Sequence, residues 1–119
     1  MVPNEDELES LWDMQQAILQ IQMFTAEMSE MEYLDSELVQ SAVERKLEIL
    51  GEAARRVAGD FQIAHPEIDW RNIIRLRNVI AHRYDQVKQE QIWKIVQTLL
   101  PELLNRLLPL FPSLEESEE

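Results

Sequence analysis

Three residues in the second half of the chain have types and a spacing that could do chemistry. Arg77, His82 and Tyr84 follow the order R-x-x-x-x-H-x-Y inside the stretch RLRNVIAHRYDQV, residues 75 to 87. Histidine titrates near neutrality and can act as base or acid. Arginine stays charged and offers a planar fork to phosphate oxygens. Such a pair suits cleavage of RNA without a metal. A base takes the 2′-hydroxyl proton, an acid protonates the leaving 5′-oxygen, and a cation stabilises the crowded phosphorane. One chain supplies one histidine to this stretch, so two facing copies would supply both proton-transfer groups.

The spacing constrains how these residues could meet. On a regular helix His82 lies about 140° around the axis from Arg77, while Tyr84 returns to nearly the same face as Arg77. The three cannot form a compact triad on one unbroken helix. Either the helix ends near Arg83 and the turn re-aims His82 and Tyr84, or another chain completes the site; both can hold. On packing grounds alone, His82 would be a helix cap and Tyr84 a half-buried core residue.

The elements that must position these residues are helical. Apolar residues recur at steps of three or four from about Glu5 to Met28 (Leu11, Met14, Ile18, Ile21, Phe24 or Thr25, Met28), which predicts a first helix with an acidic first turn. A second is expected from about Ser36 to Ala58, capped by Asp35 or Ser36. Its core stripe is expected to be Leu38, Ala42, Ile49, Ala53 and Val57, with Leu50 beside it and Gly59 as the C-cap. Pro66 in HPEIDW marks a connection. Asp69 caps a third helix starting at Trp70, and a fourth begins near Lys88, where Pro101 must kink it or open a fifth. Short connections between such helices predict an all-α, antiparallel four- to five-helix bundle over residues 1–110, followed by an acidic tail over 111–119.

The chain has 119 residues, no cysteine and a formal net charge of −12. Thiol nucleophiles, disulfides and zinc ribbons are excluded, and no metal or other cofactor is implied. The acidic start and the lack of a long apolar run argue against a signal peptide or a membrane span and make the cytoplasm the expected location. The net charge speaks against a nucleic-acid partner only on average. Residues 1 to 50 hold 12 acids and 2 bases, residues 51 to 110 hold 7 and 9, and residues 111 to 119 hold 4 and none. Arg71, Arg75, Arg77, Arg83 and Lys88 form a local basic run around a single acid, Asp85. Arg71 and Arg75 could contact phosphate, or could be a solvated face paired with acids of the first two helices.

The chain resembles the HEPN superfamily, and within it the HepT-like toxins of prokaryotic type VII toxin–antitoxin pairs. Arg77, His82 and Tyr84 match that family's motif, Asn78 its polar residue after the arginine, and ILGEAARRV (49 to 57), HPEIDW (65 to 70) and the spacing from HRYDQV to Ile92 and Trp93 its usual pattern. The resemblance implies a helical homodimer acting as a metal-independent ribonuclease. Arg77 and His82 would then carry cleavage of an RNA substrate, with Asn78 and Tyr84 in support and phosphate contacts from Arg71, Arg75 or Arg83. It also implies that Tyr84 is adenylylated by a nucleotidyltransferase antitoxin resembling MntA. Two other readings stand beside this one: a non-catalytic helical partner that regulates a nucleotidyltransferase, and a structural dimer whose motif residues only pack and cap.

Overall fold

The first helix, α1 (Glu5–Thr25), starts at a reciprocal cap. The Glu7 N–H donates to Asn4 Oδ1 (2.8 Å) and the Asn4 N–H donates to Glu7 Oε2 (2.8 Å), while Glu5, Asp6 and Glu7 face the positive end of the dipole. Leu11, Met14, Ala17, Ile18 and Ile21 are buried along one side. The helix stops short of the expected Met28 because Glu27 turns into the left-handed region (φ 63°) and Ser29 opens a new capping box with Glu32. That box starts α2 (Glu30–Leu34), a short helix absent from the sequence expectation. Its Tyr33 is fully buried, stacks at 5.2 Å on Trp93 and donates its hydroxyl to Gln89 Oε1 (2.7 Å). Burial and then the Glu44 charge push the Tyr33 phenol well up.

The central rod is α3 (Glu37–Arg56), capped where Ser36 Oγ accepts from the Val39 N–H (3.2 Å). Of the residues expected in its core, Ala53, Val57 and Leu50 are buried, and the N-terminal part of the face is rotated by about one residue. Val43, Leu47, Leu50, Ala53 and Ala54 are buried, whereas Leu38 is 82% exposed and Ala42 and Ile49 are half-buried. Gly59 does not cap this helix. It has no positive φ and begins α4 (Gly59–Ala64). The cap is a side chain instead: Gln62 Nε2 donates to the carbonyl of Val57 (3.0 Å) and to that of Ala54 (3.1 Å), which also accepts from the Val57 N–H (3.2 Å).

The HPEIDW connection is pinned from both sides. Trp70 Nε1 donates to His65 O (2.9 Å), Phe61 packs edge-on against Trp70, and Arg106 donates to Glu67 O (2.5 Å) while pairing with Glu102. Asp69 then caps α5 (Trp70–His82), as expected, through the Asn72 N–H (3.4 Å) and the Asn72 side-chain amide (2.6 Å).

The last rod is one continuous run of α6 (Gln89–Lys94), a π-turn (Ile95–Leu99) and α7 (Leu100–Leu107), closed by a 3-10 turn over Leu108–Leu110. Pro101 has no N–H for the carbonyl four residues back, and the chain answers with one wide turn in which the Leu100 N–H reaches Ile95 O. α3 carries α1 on one flank and α5 on the other, and α6 with α7 closes against α1 and α2.

The computed structural model describes residues 2–82, 85 and 87–112. Arg83, Tyr84 and the expected acidic tail from residue 113 onward lie outside them. Every regular element among the described residues is a helix, and none is long and apolar enough to cross a membrane.

Candidate functional site

The site is built where α5 crosses α3. A Cβ added at Gly51 would lie 2.2 Å from Arg77 Cβ, 2.8 Å from Arg77 Cγ and 3.1 Å from Ile73 O. No side chain fits there, so glycine lets α5 seat directly on α3 and fixes the height of the Arg77 backbone. Ala53 and Ala54, fully buried on the same helix, keep its packed face narrow.

Glu52 follows Gly51 and reaches the same arginine. Arg77 Nη2 stands 3.5 Å from Glu52 Oε2, and Arg77 Nη1 donates to Asn78 Oδ1 (3.1 Å). Arg77 Nε is buried and, among the described residues, makes no hydrogen bond; Glu52 Oε2 accepts none. The other carboxylate oxygen is committed, since Glu52 Oε1 accepts from Arg55 Nη2 at 2.7 Å. That bond, ahead of the charges of Arg55, Arg77 and Arg56, holds the Glu52 carboxyl below the usual carboxylate range against a smaller opposing effect of burial. It also holds the Arg55 guanidinium above its ordinary value. A cavity of 330 Å³ opens beside the pair, lined by Asp13, Arg45, Glu48, Ile49, Glu52, Arg56 and Arg77. A pair from Arg56 to Asp13 (2.9 Å) ties its α3 wall to α1.

His82 is the last residue of α5 and is exposed. Arg83, near which the helix was expected to end if the turn re-aims His82, lies outside the described residues. Asn78 lies one turn before His82, and Arg71, Arg75, Asn78 and His82 recur at steps of four, three and four along one exposed stripe. Arg77 faces α3, so the structure does not bring Arg77 and His82 together within one chain; they look to different sides of α5. Among the described residues, Arg71 and Arg75 make no ion pair with acids of the first helices. Lys88 is exposed at the start of α6, while Arg83 and Tyr84 lie outside the described residues. No set of three or more His, Asp or Glu side chains among those residues is placed to hold a metal ion.

Beyond α3, the packing of α5 thins out. Its half-buried Ile73, Ile74 and Leu76 line open grooves on either side: one of 290 Å³ reaching Ile95, Leu99 and Leu103, another of 670 Å³ reaching Ile63, Pro66 and Trp70.

Sequence reasoning missed that Arg55 holds the Glu52 carboxylate, although the spacing of three residues on a helix was a usable signal. It missed the pair of Asp13 with Arg56, which are 43 positions apart and share no local pattern.

Comparison with known proteins identifies the family. A model of the Ribonuclease HepT-like family matches residues 14–109. The "Probable ribonuclease HepT" of Thermococcus cleftensis is 40% identical over 93 residues, covering 78% of this chain and 84% of that one. Two Methanocaldococcus jannaschii proteins, each carried under a provisional RNase name, are also similar. One is 31% identical over 93 residues (78% of this chain, 85% of its own), the other 30% over 118 residues (99% and 98%). No solved structure matches. With nearly the whole helical core inside the matched region, the chain belongs to the Ribonuclease HepT-like family.

Proposed function

We propose that the chain is the toxin of a toxin–antitoxin pair: a cytoplasmic, metal-independent endoribonuclease that works as a homodimer. The observation that carries the reading is the placement of Arg77. It is seated on Gly51 with only part of its donor set used, and it belongs to a chain of the Ribonuclease HepT-like family. In this reading Arg77 binds the scissile phosphate and offsets the charge that grows on the phosphorane. His82 moves the proton, as base toward the 2′-hydroxyl or as acid toward the leaving 5′-oxygen. Asn78 holds one edge of the Arg77 fork, and Arg71, Arg75 and Arg83 track the RNA backbone.

Because Arg77 and His82 look to different sides of α5, a second copy is what would complete a site with two histidines. The thinly covered apolar flanks of α5 support that arrangement. Tyr84, two residues beyond His82, is the acceptor of AMP from a nucleotidyltransferase antitoxin. The added phosphate and purine would repel and exclude RNA, as other charge-adding modifications act on a phosphate site.

The test is RNA cleavage by wild-type and His82→Ala protein, with and without EDTA. Cleavage that survives EDTA and disappears in His82→Ala, with the melting temperature unchanged, is expected; full activity in His82→Ala would refute the reading. Co-expression with a cognate nucleotidyltransferase antitoxin should add mass in AMP-sized steps, lost in Tyr84→Phe.

A further inference from the structure

One carboxylate, that of Glu52, serves two guanidinium groups unequally. Arg55 takes Oε1 with a hydrogen bond of 2.7 Å, and Arg77 is left at 3.5 Å from Oε2. Arg77 is the less exposed of the two, with 27% of its side chain accessible against 61% for Arg55, yet it makes the looser contact. Its Nε is buried without an acceptor among the described residues. A guanidinium and a carboxylate on facing helices would ordinarily close as a two-pronged fork, using the same donors that a phosphate needs. Here that fork has not closed, and Arg55 holds one of the two carboxylate oxygens.

We propose that Glu52 is a positioning residue for Arg77, and that Arg55 acts through Glu52 to keep the Arg77 fork open for a phosphate. The proposal rests on the reading of Arg77 as the phosphate-binding group. Glu52 aims the guanidinium electrostatically, and Gly51 sets its height. Arg55, by holding Oε1, stops Glu52 from saturating what it aims. The two neighbours of Arg77 therefore have opposite effects. Without Arg55, both carboxylate oxygens turn to Arg77 and phosphate must compete with them. Without the Glu52 charge, Arg77 is free to bind but is no longer aimed.

The experiment compares wild type, Arg55→Gln, Glu52→Gln and the double variant by two readouts. The first is the rate of Arg77 modification by phenylglyoxal, followed by peptide mass spectrometry with no RNA present. Arg55→Gln should slow it about threefold, the scale of a partly exposed ion pair, and Glu52→Gln should speed it by a similar factor. In the Glu52→Gln background, Arg55→Gln should add nothing, because the path through the carboxylate is gone. The second readout is RNA cleavage. Arg55→Gln should raise KM with kcat nearly unchanged, while Glu52→Gln should lower kcat without raising KM. The loss of one positive charge near RNA would raise KM in either background, so only an effect that disappears in the double variant counts for the relay. Equal Arg77 modification in all four proteins, or simple additivity in the double variant, overturns the proposal. If the wild type cleaves no RNA, the ribonuclease reading fails, and the labelling rates still decide whether the relay exists.

Discussion

Replacing Gly51 with alanine puts a methyl group 2.2 Å from Arg77 Cβ, where carbons in contact normally stand about 3.5–4.0 Å apart. Arg77 Cβ is carried on the backbone of α5 and cannot swing away as the tip of a long side chain would. The helices must part locally by roughly 1.3 Å or more to restore van der Waals contact. Overpacking of this kind costs about 1–3 kcal/mol, and a rigid obstacle belongs at the upper end. Alanine is the better helix former and returns about 1 kcal/mol. The net loss of about 2 kcal/mol corresponds to a fall of roughly 8 °C in melting temperature for a domain of this size. Lifting Arg77 by about 1 Å should cost on the order of 100-fold in kcat/KM for RNA, a loss in excess of what the remaining folded fraction explains. Gly59 is the control. A Cβ there meets nothing within 4 Å, and its φ is not positive. Gly59→Ala should therefore stabilise by about 0.4–1 kcal/mol and leave cleavage unchanged. Thermal unfolding by circular dichroism and cleavage of one RNA substrate decide the matter: a Gly51→Ala protein that melts no lower than wild type refutes the close-contact account.

Gln62→Ala removes the donor shared by the Ala54 and Val57 carbonyls at the end of α3 and should cost about 1 kcal/mol, read as a lower urea midpoint with an unchanged m-value. Glu52 contributes through a folded-state carboxyl held below its ordinary range, first by the Arg55 hydrogen bond. Such a group stabilises above its unfolded pKa and loses that contribution as pH falls through the lower folded value. The melting temperatures of wild type and Glu52→Gln should therefore converge as pH drops below the usual carboxylate range; a gap that widens on acidification would count against the assignment.

The parts of the fold that could be read from residue order are those where one local signal had no rival. Asp69 before Trp70 had a clear capping role, and α5 begins where pattern placed it. In α3, two overlapping apolar stripes both have helical spacing. Leu38, Ala42 and Ile49 compete with Val43, Leu47 and Leu50, and Ala53 fits either. The choice falls to the partners: α1 and α5 flank the second stripe, and nothing local reveals that. Gly59 illustrates a different limit. A glycine after a helix suggests a left-handed cap, but Gln62, five residues beyond Val57, supplies the hydrogen bonds first and releases Gly59 to start α4. At the site, the residue types of Arg77, Asn78 and His82 were legible, but the sharing of Glu52 between Arg55 on its own helix and Arg77 on α5 depends on how the two helices pack.

A net charge of −12 would keep RNA away if it acted as a single charge, and the dimensions of the molecule argue that it does not. The described chain extends 49 × 29 × 19 Å, while salt at physiological strength screens exposed charges beyond about 8 Å. A phosphate approaching α5 therefore responds to what lies within one or two screening lengths. On the exposed stripe that means Arg71, Arg75, Asn78 and His82, without neutralising partners on the arginines among the described residues. Of the acids of α1, Glu7 is already committed to its cap, and Asp13, which lines the same cavity as Arg77, is committed to Arg56. Segregating acid into the N-terminal half is thus compatible with an anionic substrate at α5.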